Sequence, residues 1–384
     1  MELLYASFHH TTLSAGLVDN AFCQADVFRA TVQPSGTVVA LKVARVSGKV
    51  QRTPLAHEGR VIQLLQGHPA VPTLVGYGRD PHFDYLAMEL LGGTLKKQIQ
   101  EKVEALRIST VARIAEQLLS ALEHLASHGV VHRDINPANI LLCPSDPSRI
   151  RLIDYGITRV LRPFSQESVR RFNASGQPLL VGTPDWCSLR VHDGYDPRSR
   201  DDLESVAYTV TFLLFGGLPW RPPPGRESLE RHISRIHVFK KIFGSAHLAK
   251  FPTVFAELLD VARSGSGDIK DDIAALRAKM LLLARQSGEA NTDPLDWSTV
   301  ASSAFDAYVN PDIVQDEQGQ QQEHEQERTL HGQTDADLFD MSYTAELWDN
   351  QNHTRDASLT FPAEEHAVLD DTLPRIVAVR VKPA

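Results

Sequence analysis

The chain has 384 residues, of which 42% are hydrophobic and 23% charged, a composition typical of a globular protein with a large buried core. Residues 301–384 hold 17 acidic and five basic residues, so residues 1–300 hold the other 31 acidic and 34 basic ones. A nearly neutral body with an acidic C-terminal segment argues against nucleic-acid binding. No stretch reaches the roughly 18 uncharged apolar residues of a membrane-spanning helix. Three scattered cysteines without a Cys-x-x-Cys pair favour an intracellular protein, cytoplasmic or nuclear.

The first 90 residues are predicted to form a small β-rich unit with one helix. Four segments rich in β-branched and apolar residues are predicted to be strands: 27–32, 37–43, 71–77 and 85–91. Pro34-Ser35-Gly36 is a turn signal between the first two, which predicts a hairpin. Apolar residues recur at helical spacing from Pro54 to Gln66, which predicts a helix.

Residues 91–300 are predicted to form a larger helical unit. An apolar stripe predicts a long helix from Ser109 to His128, and helical patterns continue from Asp202 to about Leu283. The two units together indicate an α+β, bilobal arrangement, in which the cleft between lobes is a common place for a ligand.

Residues 301–384 are predicted to be an acidic, largely disordered tail. Gln315 to Arg328 is a polar run that cannot build a core. Ile376 to Val381 alternates mildly and could form a strand at a sheet edge. The tail could fold back on the body and inhibit it, although a solvated extension explains the same composition.

One polar run carries most of the chemical information. His132-Arg133-Asp134-Ile135-Asn136-Pro137-Ala138-Asn139 is followed by Asp154-Tyr155-Gly156. This pattern places an acid before an amide and a second acid after both, as phosphoryl transfer from ATP requires. Asp134 would accept the proton of a substrate hydroxyl, and Asn139 and Asp154 would hold the magnesium ions that bridge the phosphates.

Earlier residues supply the remaining groups that bind ATP. Lys42 closes a predicted strand and can bind the α- and β-phosphates, and Glu58 on the next helix could hold that lysine by a charge-assisted hydrogen bond. Met88 ends the last strand of the small unit, where backbone groups of Glu89 and Leu91 would hydrogen-bond adenine. Catalytic roles are therefore predicted for Asp134, Lys42, Glu58, Asn139 and Asp154.

These motifs resemble those of the eukaryotic protein kinases and, more narrowly, the casein kinase I family. The segments that carry the resemblance best are Gly182-Thr183-Pro184-Asp185-Trp186-Cys187-Ser188-Leu189, Ser199-Arg200-Asp201-Asp202-Leu203-Glu204-Ser205 and Gly217-Leu218-Pro219-Trp220. The resemblance covers roughly residues 10–298. It implies a bilobal kinase fold, ATP with Mg²⁺ as cofactors, and phosphorylation of protein serine or threonine. Residues predicted to contact the nucleotide are Lys42, Asn20, Ala25, Val27, Ala40, Met88, Glu89 and Leu91.

The chain also departs from the family pattern. The three positions of the glycine-rich loop align with Asn20, Phe22 and Ala25, although nearby Gly16 leaves the register open. Asn136 replaces the lysine of the catalytic loop, and the loss of that cation should lower the rate. Asp185 replaces an arginine that binds phosphorylated or acidic substrates in the family, so that preference is not expected here.

Three hypotheses follow. The first is an active Ser/Thr protein kinase, because all five core polar residues are present. The second is a pseudokinase that acts as a binding or scaffold protein, because the glycine loop is poor and Asn136 replaces lysine. The third, a small-molecule kinase of the aminoglycoside or choline type, shares the acid-then-amide spacing but does not explain Gly182-Thr183.

Overall fold

The computed structural model describes most of the chain up to residue 286 and a short C-terminal strand. The described residues are 3–7, 25–46, 53–100, 106–146, 148–161, 170, 172, 180–220, 228–265, 267–286, 295 and 379–382. Within these ranges the chain forms ten strands, eight α-helices and one short 3₁₀ helix. No helix in this part of the chain is long and apolar enough to cross a bilayer.

The small lobe is a six-stranded sheet with one helix. Its strands are β1 (Leu3–Ser7), β2 (Ala25–Gln33), β3 (Val38–Arg45), β4 (Leu74–Arg79), β5 (Phe83–Glu89) and β10 (Val379–Lys382). Their order is β10-β1-β2-β3-β5-β4, and only the β1–β10 pair is parallel. Helix α1 (Pro54–Leu64) packs against β4 and β5. It begins where the Thr53 hydroxyl accepts the Leu55 N–H at 3.3 Å, with proline at the first helical position.

The large lobe is mostly helical and packs around one buried helix, α5 (Ser199–Phe215). Its elements are α2 (Leu95–Gln100), α3 (Ile108–Ser127), β6 (Val130–Val131), β7 (Ile140–Leu142), β8 (Ile150–Leu152), β9 (Arg159–Val160), α4 (Leu189–His192), α5 (Ser199–Phe215), α6 (Leu229–Ile242), α7 (Thr253–Ser264) and α8 (Ile269–Gln286). Helix α5 is buried along almost its whole length, and α3 packs against both α5 and α8. This core holds the loops that surround the cleft.

The predicted elements are found, with shifted ends. The last two strands predicted for the small lobe lie at Leu74–Arg79 and Phe83–Glu89 rather than 71–77 and 85–91. Their ends follow from the turn between them, where the Asp80 carboxylate accepts the N–H groups of His82 and Phe83 at 2.7 and 2.8 Å. Because this turn sets the hairpin register, apolar residues on either side could not locate the strand ends.

The C-terminal strand brings the end of the chain into the small lobe. The mild alternation at 376–381 favours a strand or an edge addition, and the structure contains β10 at Val379–Lys382. The small-lobe sheet is therefore built from both ends of the chain, beyond the range 1–90. The predicted disorder of Gln315 to Arg328 lies outside the described residues, as do Asn20 and Phe22.

Candidate active site

The loop between β6 and β7 contains Asp134, the predicted base, and is hydrogen-bonded to α5. The Asp202 carboxylate accepts the backbone N–H groups of His132 and Arg133 at 2.6 and 2.9 Å. Burial raises the pKa of Asp202 to about 7, against the effect of these two donors. Arg133 has a positive φ of 74°, a conformation that costs energy for a residue with a side chain. The two bonds to Asp202 hold the backbone in that conformation.

Asp134 is held in one orientation by three donors. Its Oδ1 accepts the N–H and the hydroxyl of Thr183 at 3.0 and 2.7 Å, and its Oδ2 accepts Asn139 Nδ2 at 2.8 Å. Burial raises the pKa of Asp134, the Thr183 hydroxyl opposes that change, and the charge of Asp154 adds to it. A carboxylate with a raised pKa is a better proton acceptor than a free one.

Gly182 allows the segment after residue 180 to approach Asp134 closely. It has a φ of 88°, and a Cβ atom at this position would lie 2.2 Å from the carbonyl oxygen of Arg133. Only glycine fits there without moving the catalytic loop. The Gly182-Thr183 pair therefore has two structural tasks, namely close approach by the first residue and hydrogen bonding to Asp134 by the second.

An ion triad joins the two lobes. Lys42 Nζ lies 2.9 Å from Glu58 Oε1 and 3.3 Å from Asp154 Oδ1. Burial alone would lower the pKa of Lys42, but the carboxylates of Asp154 and Glu58 outweigh burial and raise it. The charge of Lys42 in turn lowers the pKa of Asp154, so the lysine and this carboxylate are both ionised at neutral pH.

The triad has a buried end and an open end. The Glu58 side chain is 2% exposed, whereas the Asp154 side chain is 41% exposed. Glu58 therefore fixes Lys42 from inside the small lobe, and Asp154 presents its carboxylate to the cleft. Asp154 has a φ of 67°, a strained conformation of the kind that clusters at functional sites.

Asn139 and Asp154 fit a divalent cation. The Ile153 N–H donates to the Asn139 carbonyl at 2.9 Å, which ties the two segments together. Asn139 Nδ2 donates to Asp134, so the side-chain Oδ1 is the atom left for a cation. No group of three or more His, Cys, Asp or Glu side chains in the described part of the chain has metal-site geometry. Mg²⁺ does not need one, because it is usually held by one or two protein oxygens, phosphates and water.

Four residues predicted to contact the nucleotide share a sheet face with Lys42. In the register, Val27 lies opposite Lys42, Ala40 opposite Met88 and Ala25 opposite Ala44. Directly opposed residues lie on the same face, and so do alternate residues of one strand. The structure therefore brings together one face with these members: Ala25, Val27, Ala40 and Met88.

The segment after β5 leads from the small lobe to α2 of the large lobe. The Glu89 N–H donates to the Thr73 carbonyl at 2.9 Å, so a backbone contact from Glu89 to a base would use its carbonyl. The Glu89 carboxylate pairs with Arg151 Nε at 2.5 Å, so this side chain is used within the protein. Leu91 follows β5 and is partly buried.

Asn136 has a role within the catalytic loop that sequence reasoning missed. Its Nδ2 donates to the Asp134 carbonyl at 3.2 Å, and its Oδ1 accepts the Ala138 N–H at 2.9 Å. The side chain is buried, with the residue 5% exposed. The Asn-Pro dipeptide is a turn signal that could have suggested this role.

Tyr155 has a buried hydroxyl group whose surroundings the sequence did not reveal. The residue is fully buried, and its ring contacts the His132 ring edge-on with 5.0 Å between centroids. The hydroxyl has no hydrogen-bond partner among the described residues. Burial lowers the pKa of His132 to about 4, so this ring is neutral when it bonds the Ile153 carbonyl through Nε2 at 3.1 Å.

Comparison with known protein families agrees with this geometry. The model of the protein kinase domain matches residues 23–284, well over half of the chain. The five predicted catalytic residues all lie within that range. The β-sheet lobe and the helical lobe correspond to the two lobes of the protein kinase fold. The finer resemblance to the casein kinase I family stays a prediction.

Proposed function

Because the chain belongs to the protein kinase family, we propose that it is an active Ser/Thr kinase that transfers the γ-phosphate of Mg-ATP to a protein hydroxyl. Kinase function and ATP binding in general follow from the family. The observation that supports activity is the assembled site. Lys42 is within 3.3 Å of both Glu58 and Asp154, and Asp134 is held by Thr183 and Asn139.

The triad would position the nucleotide. Lys42 would donate to the α- and β-phosphates while Glu58 keeps its ammonium group in place. Asn139 and Asp154 would hold Mg²⁺, which supplies charge neutralisation at the phosphates. Asp154 pairs with Lys42 and would also hold Mg²⁺. The ammonium group of Lys42 and the Mg²⁺ ion would therefore lie close together and act on the same phosphate groups.

Asp134 would act as the proton acceptor. The substrate hydroxyl oxygen forms a bond to the γ-phosphorus while the bond from that phosphorus to the β-γ bridging oxygen breaks, and ADP leaves. The hydroxyl proton moves to a carboxylate oxygen of Asp134. Thr183 and Asn139 hold that carboxylate during the transfer.

The glycine-poor loop and Asn136 motivate the pseudokinase hypothesis, and the bonds of Asn136 support it. The Asn136 side chain is committed to the catalytic loop and supplies no positive charge to the transferred phosphate. Charge stabilisation is a large part of phosphoryl-transfer catalysis, so a slow or inactive enzyme is the second candidate. In that case the fold would bind a nucleotide or a partner without transfer.

Transfer of labelled γ-phosphate from Mg-ATP to casein and to the protein itself tests the proposal. The matched control is Asp134→Asn, which keeps the size of the side chain and removes the base. Label on serine and threonine with the native protein, and none with the variant, would support the proposal. No transfer by a folded native protein that still binds Mg-ATP would favour the pseudokinase.

We propose two finer properties with the same assay. The first is casein kinase I-like specificity that lacks the family's preference for acidic substrates. Asp185 supports the missing preference, because it places a carboxylate, 3.3 Å from His232 Nε2, where the family has an arginine. Equal or better turnover of neutral peptides than of acidic peptides would support it.

Inhibition by the acidic tail rests on charge alone, and unchanged peptide turnover after deletion of residues 315–328 would count against a role for that polar run.

A further inference from the structure

A lysine of α6 is buried in the large lobe without a carboxylate partner. Lys240 is 0% exposed, and no carboxylate in the described part of the chain forms an ion pair with its ammonium group. Burial lowers the pKa of Lys240, which reflects the electrostatic cost of this position. Buried charges are normally paired, so the groups that replace a carboxylate here show which part of the fold the lysine serves.

The ammonium group donates to both ends of one short segment, residues 184–187. Lys240 Nζ lies 2.8 Å from the carbonyl oxygen of Pro184 and 2.6 Å from that of Cys187. The ring faces of Tyr208 and Trp220 lie 4.7 and 5.2 Å from Nζ, which adds cation–π attraction. Lys240 therefore fixes the distance between the two ends of segment 184–187.

The residues between those two ends are held as well. Trp220 Nε1 donates to the Asp185 carbonyl at 3.0 Å. The N–H groups of Trp186 and Cys187 donate to the Thr183 carbonyl, each at 3.0 Å. Backbone groups of all four residues in segment 184–187 are thus hydrogen-bonded, so the conformation of the segment is set by the protein before any ligand binds.

Segment 184–187 lies beside the place where a substrate hydroxyl would approach. The residue before it, Thr183, donates its N–H and its hydroxyl to Asp134 Oδ1 at 3.0 and 2.7 Å. A base must lie within hydrogen-bond reach of the hydroxyl whose proton it accepts. Because consecutive Cα atoms are about 3.8 Å apart, the residues after Thr183 are within reach of the substrate chain on either side of that hydroxyl.

We propose that Lys240 is a positioning residue for the protein substrate, which it serves by holding segment 184–187 in the conformation that receives the substrate chain. This inference rests on the proposed function, because it assumes transfer to a protein hydroxyl. The hydrogen bonds of Lys240 all go to groups of the large lobe, whereas Lys42 and Glu58 belong to the small lobe. Lys240 therefore acts on the affinity for protein substrate and leaves the affinity for Mg-ATP unchanged.

The test is Lys240→Met in the full chain. Methionine keeps an unbranched apolar side chain against the two rings and removes the three N–H donors. Lys241→Met is the matched control, because it makes the same change at the next residue of α6, which is exposed. Three quantities are measured: kcat and KM for transfer to casein, the Kd for Mg-ATP by calorimetry, and hydrogen exchange at the amides of Trp186 and Cys187.

We expect Lys240→Met to raise the KM for casein about tenfold, since misplacement of a positioning group by about 1 Å can cost up to about 100-fold. Exchange protection at the two amides should be lost, and the Kd for Mg-ATP should not change. A general loss of folded protein would lower kcat at an unchanged KM, so the rise in KM separates positioning from stability. The control should match the native protein throughout, and an unchanged KM for casein in Lys240→Met would overturn the proposal.

A second measurement uses the native protein and does not depend on the folding of a variant. Casein added without ATP, at a concentration well above its KM, should slow hydrogen exchange at the amides of residues 185–187. Unchanged exchange there would overturn the proposal, because the substrate would not contact the segment. If the native protein transfers no phosphate to casein, the proposed function fails, while exchange in Lys240→Met still reports whether the lysine holds the segment.

Discussion

The buried hydroxyl of Tyr155 makes a quantitative prediction. A buried donor without a partner costs about 1–3 kcal/mol, because it gives up its hydrogen bonds to water. Tyr155 is fully buried, and its hydroxyl has no partner within the described residues. The substitution Tyr155→Phe removes the hydroxyl and keeps the ring against His132. We therefore expect the free energy of unfolding to rise by about 1–3 kcal/mol.

Tyr208 offers a matched control in the same core. It is also fully buried, and its ring makes a similar edge-on contact, 4.9 Å from Trp220. Its hydroxyl donates to the Glu204 carboxylate and accepts from Arg263 Nη2 at 2.9 Å. Because hydrogen bonds to charged groups contribute about 1.5–3 kcal/mol, Tyr208→Phe should lower the free energy of unfolding by about that amount.

Urea unfolding of the two variants and the native protein measures the difference. The two substitutions delete the same atom from the same residue type, so opposite signs would isolate the effect of the partner. A loss of stability in Tyr155→Phe as large as that in Tyr208→Phe would refute the reasoning. It would mean that the Tyr155 hydroxyl has a partner in the folded protein, such as a buried water.

Three further predictions concern the cleft. Gly182→Ala should abolish phosphate transfer, because the new Cβ would lie 2.2 Å from the Arg133 carbonyl oxygen. The midpoint temperature of thermal unfolding should also fall. A fully active variant would contradict the assigned close approach. Lys42→Ala leaves Glu58, with its side chain 2% exposed, without its counter-charge and should cost about 3 kcal/mol. Adding Glu58→Gln should recover part of that loss in a double-mutant cycle, and strict additivity of the two changes would argue against the pair. As the pH is lowered, kcat/KM should fall at a pH above the pKa of an ordinary aspartate, because burial raises the pKa of Asp134 and only the ionised carboxylate accepts a proton. A fall in kcat/KM centred near pH 4 would contradict the proposed base.

Much of the site was predictable because its residues are close in the chain. Asp134, Asn139 and Asp154 belong to one segment of loop and short strands, so their spacing alone indicates phosphoryl transfer. Lys42 and Glu58 were predictable as a pair because a strand and the helix that follows it in the chain are neighbours in a small lobe, although Lys42 lies inside β3 and not at its end. The structure brings all five together, although their catalytic roles await the transfer assay.

The roles of Asn136 and Tyr155 could not be predicted in the same way. A comparison of residue types shows that lysine is absent at position 136, but the bonds of Asn136 to Asp134 and Ala138 depend on the loop conformation. Whether the Tyr155 hydroxyl finds a partner depends on packing between segments that are distant in sequence. The Asn-Pro dipeptide indicates a turn at Asn136, but no local pattern shows whether the Tyr155 hydroxyl has a partner.

The sequence by itself determined the two-lobe division, most of the strands and helices and the identity of the polar groups, since hydrophobic periodicity and short motifs are local properties. It did not predict β1 (Leu3–Ser7). Only the tertiary structure decided which sheet edge receives the C-terminal strand. Pairing between Leu3–Ser7 and Val379–Lys382 joins residues at opposite ends of the chain, and its register depends on the folded lobe between them. The same holds for Gly182 and Arg133, whose close approach exists only once the large lobe has packed around α5.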